Sequence, residues 1–336
     1  MTGVLLVTFG SAVTADQVPA YLASVRAGRA VPAELISEFQ RRYARIGRSP
    51  LLDITAAQAV ALQRALDADH GANALRVAVG MLHAAPFIGG AVEALVHSGA
   101  TAILAVLLAP QYSSIILGGY ERAIGTARAA HPAVDIRIAR AWHDTDEWIE
   151  CLHELVAGAL ARLPAGRRDT IPVIFTAHSL PRAVVDRDPG YIDQLRWTAE
   201  SVAHRAGLDA SRWQFAYQSA GHTPEPWLTP DVKDLLPGLR AANHRDVLVV
   251  PVQFLADHLE ILYDIDVAAA EEAERAGITL HRIEMPNTSP LLISALEAVV
   301  KRELDVHVQG GGAPLRERRH LGAEPERGRS AGLGES

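Results

Sequence analysis

Cysteine is almost absent from this chain, which has one, Cys151, among 336 residues. One cysteine excludes an internal disulfide framework, and it excludes an iron–sulfur cluster or zinc site built from four cysteines of the chain. Such a composition is typical of proteins kept in a reducing compartment, so we expect a cytoplasmic protein without an iron–sulfur cluster.

Long apolar runs and an excess of basic residues are missing as well. No uncharged run approaches the roughly 20 residues that span a bilayer, and Met1-Thr2-Gly3 enters an apolar segment without the basic region of a signal peptide. The 32 Lys and Arg are outnumbered by 39 Asp and Glu, which gives a net charge of −7. We therefore expect neither a nucleic-acid partner nor an integral membrane segment.

Two nucleotide-binding motifs are absent too. No GxGxxG follows the first apolar run, and no Walker A motif occurs in the sequence. A nucleotide cofactor is therefore not expected, and we predict that the protein holds no permanently bound cofactor.

What the chain does contain is a regular alternation of apolar runs and amphipathic helices, with 49% of its residues apolar. Each half contributes four runs of strand length. They begin at Val4, Leu75, Ala102 and Val134 in the first half, and at Val173, Phe215, Val247 and Thr279 in the second. This repetition predicts an α/β fold of two Rossmann-like domains, related by duplication, with parallel sheets and a shared cleft.

The domain boundaries follow from composition. Residues 1–165 form the predicted N-terminal domain, and the polar stretch 164–169 is expected to be a linker. Residues 170–305 form the C-terminal domain, whose terminal helix is expected to pack back on the body. The Gly- and Arg-rich tail, 309–336, has almost no apolar periodicity and is predicted to be disordered.

His178 follows directly on the buried run that starts at Val173. In open α/β sheets the ligand crevice lies beyond the carboxyl ends of the strands, and a histidine there can titrate or bind a metal near neutral pH. Taken alone, this position favours a simple capping contact of His178 with a backbone carbonyl.

Glu260 and Asp264 are four residues apart in a helix expected to open near Ala256. That spacing places them on one face, and the apolar residues around them indicate that much of the helix is buried. Because this helix follows a strand of the same half, Glu260 and His178 should reach one crevice. The pair could bind a divalent metal or move protons from a substrate.

Several motifs resemble those of the ferrochelatase family. They are Thr176-Ala177-His178-Ser179-Leu180-Pro181, Gln218-Ser219 with Thr223-Pro224-Glu225-Pro226-Trp227-Leu228, Val250-Pro251-Val252-Gln253-Phe254 with Asp257-His258-Leu259-Glu260, Arg42-Tyr43 with Ile46-Gly47, Ser49-Pro50-Leu51, and Pro110-Gln111-Tyr112-Ser113-Ser114. The Thr223-Pro224-Glu225-Pro226-Trp227 stretch is expected to open a helix. The resemblance runs from about Val4 to Leu304, and it implies a chelatase-type fold that inserts Fe²⁺ into a porphyrin and releases two protons.

The resemblance also implies roles for individual residues. His178 matches the family's active-site histidine and Glu260 its paired acid, which makes these two the expected metal-binding pair, while Asp264 matches the next acid of the proton or metal path. We therefore expect His178, Glu260 and Asp264 to be catalytic. The side of metal entry stays open, as does whether His178 acts first as a ligand or as a base.

The N-terminal region is similar to the branch of the family that uses coproporphyrin III, a substrate with four propionates. Positions matching Arg26, Arg42, Ser49 and Tyr120 contact propionates in that branch, and arginine can hold a carboxylate through two hydrogen bonds. The expected product is coproheme (Fe-coproporphyrin III), with hand-over to a coproheme decarboxylase. We expect the enzyme to be a monomer.

Three departures from the family pattern stand out. Phe9 replaces a tyrosine that ligates the product iron in several relatives, so it is expected to pack against the macrocycle. Ala268 stands where the family often has a third acid, and Leu82 replaces a cation found in some relatives. His83, the next residue, is a candidate for a secondary contact with metal or substrate.

Other functions stay open. One alternative is a protoporphyrin IX ferrochelatase, and another is a cobalt- or nickel-inserting chelatase. The latter enzymes often use more than one histidine at the metal, whereas the sequence indicates one histidine paired with Glu260. A third alternative is a porphyrin or heme carrier that has lost turnover.

Overall fold

The structure, a computed structural model, describes residues 1–221 and 223–309. The strands are β1 (Thr2–Thr8), β2 (Leu75–Met81), β3 (Ala102–Leu107), β4 (Asp135–Ile138), β5 (Val173–His178), β6 (Trp213–Gln218), β7 (Asp246–Pro251) and β8 (Thr279–Arg282). The helices are α1 (Val18–Val25), α2 (Ala33–Ile46), α3 (Leu51–His70), α4 (Ile88–His97), α5 (Gly118–Ala130), α6 (Asp146–Ala161), α7 (Ala165–Arg168), α8 (Arg182–Val185), α9 (Gly190–Arg205), α10 (Val232–Ala241), α11 (Leu259–Leu262), α12 (Ala270–Arg275) and α13 (Pro290–Gln309). A 3₁₀ turn (Ala15–Gln17) precedes α1, and a π-helical segment (Asp264–Ala269) lies between α11 and α12.

The strands form two four-stranded sheets with the same connectivity. Their orders are β2-β1-β3-β4 and β6-β5-β7-β8, and all the pairings are parallel. The second order is the first with four added to each number, so the predicted duplication of a Rossmann-like unit is confirmed. In each sheet the first strand of the half lies in the interior, and the loops at the carboxyl ends of the strands share one edge.

Alternating side chains of each strand serve two different cores. Leu5 and Val7 face an outer core with α4 and α5, whereas Val4 and Leu6 belong to a larger cluster. That larger cluster also contains Phe175 of β5 and buried residues of α3, α6, α9 and α13. The two sheets therefore share a central apolar layer, which explains why their strands read as nearly continuous apolar runs.

Helix α13 returns to the N-terminal half. Its Lys301 pairs with Asp69 of α3 at 3.2 Å, and Glu303 pairs with Arg140 at 3.0 Å. The terminal helix therefore packs back as expected. The boundaries of the predicted domains remain a prediction, and the predicted disordered tail lies outside the described residues apart from Gln309.

Two local stretches differ in detail from the sequence pattern. The polar stretch 164–169 contains the short helix α7, because the Pro164 carbonyl accepts the backbone N–H groups of Arg167 and Arg168. The Arg167 guanidinium also donates to both oxygens of Asp246, at 3.0 and 2.9 Å. This stretch is therefore pinned to the C-terminal sheet.

For the stretch that starts at Thr223, the expectation of a helix was wrong. No helix opens there, because prolines at 224, 226 and 230 remove the N–H groups that a helix would use. Trp227 instead forms an isolated bridge with Pro181, and the helix begins at Val232 behind an Asp231 capping box.

Candidate active site

His178 is held at the carboxyl end of β5 by hydrogen bonds on both sides of the strand. Next to it, the Ser179 backbone N–H donates to the Gln218 carbonyl of β6 at 2.7 Å. The His178 backbone N–H donates to Gln253 Oε1 at 2.9 Å, in the loop that follows β7. The histidine therefore lies where two strand ends and one loop meet, as the strand pattern predicts.

Two imidazoles face one carboxylate oxygen. Nε2 of His178 and Nε2 of His258 each lie 3.7 Å from Glu260 Oε2. The Nδ1 of His178 contacts the Ser179 carbonyl, and that of His258 lies 3.0 Å from the Ala256 carbonyl. Because a carbonyl only accepts, each Nδ1 carries the proton, and each Nε2 presents a lone pair when the ring is neutral. At 3.7 Å both distances are longer than direct hydrogen bonds.

His258 corrects the expectation of a single histidine at this acid. It precedes α11, which begins at Leu259 rather than near Ala256, and its backbone is extended (φ −159°, ψ −176°). The Phe254 ring packs on the imidazole at 4.6 Å. The signal was present in Asp257-His258-Leu259-Glu260, but a helix through all four residues would point His258 and Glu260 to different sides.

His178 and His258 shift the pKa of Glu260, and Glu260 shifts the pKa of His258. Burial opposes ionisation of Glu260, but the positive charges of His178 and His258 outweigh it and lower the pKa of Glu260 to about 2. Burial opposes protonation of His258, but the Glu260 carboxylate outweighs it and raises the pKa of His258. The group therefore favours a carboxylate beside a cation, whether that cation is a proton on imidazole or a metal ion.

Asp264 begins the π-helical segment, where the Ala268 N–H donates to the Tyr263 carbonyl at 2.8 Å. The wider turn follows from this bond to the fifth residue back. Burial raises the pKa of Asp264, and the charge of Glu260 adds to this, while Arg42 opposes it. Asp264 is thus a partly buried acid within electrostatic reach of Glu260.

Arg42 comes from the N-terminal half and bridges to this segment. Its Nη1 lies 3.3 Å from Asp264 Oδ1, and its Nε lies 2.9 Å from Glu38 Oε1. The guanidinium also contacts the Tyr263 ring, at 5.2 Å from the ring centroid. The predicted propionate contact is therefore engaged with two carboxylates in this structure.

Glu271 and Glu272, the acids that follow Ala268 in the sequence, do not join the group. Glu271 pairs with Arg45 at 3.5 Å, and Glu272 pairs with Arg275 at 3.1 Å. Both acids lie on α12, beyond the π-helical segment. Because position 268 is an alanine, it adds no third carboxylate to Glu260 and Asp264.

Tyrosines of the N-terminal half converge on the same region. Burial raises the pKa of Tyr21, Tyr43 and Tyr120, and for all three the negative charge of Glu260 raises it further. Tyr120 was predicted from the resemblance, whereas Tyr21 and Tyr43 were not assigned. Tyr43 is marked in the sequence by the Arg42-Tyr43 motif, whereas Tyr21 is marked only by a phenol on a helix near the end of the first strand.

The remaining predicted residues lie on the N-terminal half. Ser49 is buried, and its hydroxyl accepts a hydrogen bond from Ser11 at 3.1 Å. Arg26 has a buried Nε without a hydrogen-bond partner among the described residues. Phe9 is 39% exposed and lies edge-on to His83 at 4.5 Å, while His83 Nδ1 is 3.0 Å from Ser24 Oγ.

A second group with metal-ligand chemistry lies on the surface of α6. Its members are Glu150, His153 and Glu154, whose candidate ligand atoms lie within 4.8 Å of one another. Arg205 pairs with Glu150 at 3.0 Å, which opposes a cation there. We assign this group no role.

A family model described as ferrochelatase matches residues 1–304. The chain belongs to the ferrochelatase family. It is 37% identical over 303 residues to a ferrochelatase of Deinococcus radiodurans, covering 90% of this chain and 95% of that protein. It is 35% identical over 300 residues to a coproporphyrin III ferrochelatase of Geobacillus kaustophilus, covering 89% of this chain and 94% of that protein.

Solved chelatase structures share the fold of this ferrochelatase-family chain. The SirB structure from Bacillus subtilis with Fe³⁺ covers 92% of this chain, which in turn covers 98% of SirB, with a TM-score of 0.55 at 14% identity. At that identity the likeness concerns the fold, and it agrees with the duplicated parallel sheets. Membership of the family makes the protein a metal chelatase that inserts metal into a porphyrin. Among the described residues, no helix combines the length and apolarity needed to cross a bilayer.

Proposed function

We propose that this enzyme inserts Fe²⁺ into coproporphyrin III to give coproheme, with release of two protons. The main support for this proposal is the pair of imidazole Nε2 atoms at the carboxyl ends of the C-terminal strands, each 3.7 Å from Glu260 Oε2. Nitrogen and carboxylate donors suit a borderline divalent metal. An unprotonated Nε2 is also a base for a pyrrole N–H.

The chemistry follows from the proton balance. Fe²⁺ replaces two pyrrole protons, so the site must hold a cation and accept protons near one point. A proton taken by His178 at Nε2 faces Glu260 Oε2 at 3.7 Å, and Asp264, which pairs with Arg42 at 3.3 Å, is the next acid along this segment. The same carboxylate that favours imidazolium also favours bound metal, so either order of events is compatible with this geometry.

Coproporphyrin is the preferred substrate in this proposal because of the cations and hydroxyls of the N-terminal half. Arg26 has an unpaired buried Nε that a propionate would satisfy. Arg42 pairs with Asp264 at 3.3 Å, and the phenol of Tyr120 lies within electrostatic reach of Glu260. The coproporphyrin III ferrochelatases among the similar proteins agree with this choice.

The proposal also covers the compartment, the oligomeric state, the cofactor content and the fate of the product. We propose that the enzyme works as a cytoplasmic monomer without an iron–sulfur cluster or other resident cofactor. Coproheme would pass to a coproheme decarboxylase. Phe9 would pack against the macrocycle as an apolar surface without ligating the iron.

Anaerobic insertion of Fe²⁺ tests the reaction. Wild type should metallate coproporphyrin III with a higher kcat/KM than protoporphyrin IX, and His178→Ala should lower kcat at least about 100-fold, a typical loss for a base or ligand. Faster turnover of protoporphyrin IX would contradict the coproporphyrin assignment. Tight porphyrin binding by the wild type without metallation would instead indicate a carrier.

A further inference from the structure

The ladder between β5 and β7 ends before it reaches His178. Its last paired residues are Thr176 and Pro251, and the Val252 N–H closes it on the Thr176 carbonyl at 2.9 Å. On this side of β5 the backbone N–H of His178 has no strand carbonyl to meet. The side-chain oxygen of Gln253 takes that place at 2.9 Å.

Gln253 is itself held from behind. Its Nε2 donates to the Tyr191 hydroxyl at 2.8 Å, and Tyr191 is 2% exposed at the start of α9. The orientation of the amide is fixed by these two contacts, because the His178 N–H can only donate and must meet Oε1. A buried phenol thus fixes the amide, and the amide fixes the last backbone position of β5.

We propose that Gln253 is a positioning residue for His178, held in place by Tyr191. By fixing the His178 backbone it sets the separation between the imidazole Nε2 and Glu260 Oε2, and hence the fit of the site to a divalent cation. This inference rests on the proposed function of His178. It deepens that function by assigning metal affinity to a residue whose amide is engaged with the His178 backbone and the Tyr191 hydroxyl.

Kinetics of Gln253→Ala test the proposal. We expect KM for Fe²⁺ to rise roughly 10- to 100-fold, the usual effect of losing a group that orients a metal ligand. KM for the porphyrin should change less than about 2-fold, because the propionate contacts belong to the other half. Tyr191→Phe keeps the Gln253 oxygen on His178 but releases the amide, so its KM for Fe²⁺ should lie between those of wild type and Gln253→Ala.

Gln253→Glu is the rescue variant. A carboxylate still accepts from the His178 N–H, and the Tyr191 hydroxyl can turn to donate to it. KM for Fe²⁺ should therefore return to within about 3-fold of wild type, a recovery expected only if the contact itself matters. A Glu variant that binds metal as poorly as the Ala variant would overturn the proposal.

Gln63→Ala is the matched control. Gln63 of α3 also fixes a strand through its amide, with Oε1 accepting from the Val77 N–H at 2.7 Å and Nε2 donating to the Leu75 carbonyl at 3.0 Å. These contacts are at the start of β2, away from His178. The Gln63→Ala variant should therefore leave KM for Fe²⁺ unchanged, although it loses comparable hydrogen bonds. An equal rise in both variants would overturn the positioning role.

A measurement without turnover separates this inference from the proposed function. Co²⁺ alone, titrated into each variant without porphyrin, should bind at least about 10-fold more weakly to Gln253→Ala than to wild type, with altered visible absorption bands. If wild type inserts Fe²⁺ and Gln253→Ala matches it in both measurements, only the positioning role fails. A wild type that binds Co²⁺ more tightly than Gln253→Ala but inserts no Fe²⁺ would support the positioning role and remove the proposed reaction.

Discussion

At the scale of single residues, the site depends on how each imidazole is anchored. Each histidine donates a hydrogen bond from Nδ1 to a backbone carbonyl, so that both Nε2 atoms face one oxygen of Glu260. The negative charge of this carboxylate therefore interacts with two imidazoles at the same oxygen. The pH dependence of stability should report this competition.

Glu260→Gln should lower the free energy of unfolding most between about pH 4.5 and 6.5. The pKa of Glu260 is lowered from 4.5 to about 2, so its contribution exists above pH 4.5 and is lost as the pH falls towards 2. The pKa of His258 is raised from 6.5, so its contribution exists below 6.5 and is lost as the pH rises through the raised value.

Urea unfolding of wild type and variant at a series of pH values measures this window. Glu271→Gln is a suitable control, because Glu271 is 54% exposed and pairs with an exposed arginine. A destabilisation by Glu260→Gln that stays constant across the whole pH range would contradict the assignment of these pKa shifts.

At the scale of elements, the loops that follow β1 and β2 in the N-terminal half approach each other closely. Gly10 follows β1 with φ +82°, and a Cβ there would lie 2.8 Å from Ala84 Cβ and 2.9 Å from the Ala84 nitrogen. The same two loops are joined by the His83 N–H, which donates to the Phe9 carbonyl at 2.9 Å. Glycine is therefore required here both for its backbone conformation and for space.

Gly10→Ala should destabilise the protein by roughly 2–5 kcal/mol, the sum of a left-handed alanine and an overpacked contact. Gly28→Ala is the matched control, because Gly28 has φ +77° but a Cβ at that position would meet nothing within 4 Å. It should cost only about 1–2 kcal/mol. Denaturant unfolding measures both, and equal losses in the two variants would show that the contact with Ala84 does not matter.

Individual residues show which parts of the site a sequence can predict. The strand before His178 and the spacing of Glu260 and Asp264 depend on local patterns, and the structure brings these three together. The position of His258 depends on where α11 begins, which the local pattern does not determine. The contact between Arg42 and Asp264 joins residues 222 apart in the chain, so only the packed halves reveal it.

At the scale of the whole molecule, the two halves share one apolar layer rather than meeting at a wet interface. Val4 and Trp142 of the first half and Phe175 of the second belong to the same buried cluster. Hydrogen bonds also cross between halves, as Gln194 of α9 exchanges two with the Tyr112 backbone, at 2.8 and 2.9 Å. Exposing the part of this layer that belongs to either half would cost a large amount of free energy, because buried apolar surface would meet water.

We expect thermal and denaturant unfolding to occur in one cooperative transition, with coincident curves from far-UV circular dichroism and tryptophan fluorescence. Phe175→Ala should lower the free energy of unfolding by about 3–5 kcal/mol. It should do so without splitting the transition, because the ring lies in the shared layer. Two separated transitions in wild type would show that the halves unfold independently.

The near absence of cysteine has a practical consequence for following motion of the cleft. Cys151 is buried, and burial raises the pKa of its thiol to about 11, so labelling reagents should leave it untouched at neutral pH. Arg45 and Glu271 face each other across the two halves at 3.5 Å, and both are more than half exposed. Cysteines placed at these two positions could carry a pair of spin labels or fluorophores. The natural sequence thus provides a ready background for testing whether the distance between the two halves changes when porphyrin and metal bind.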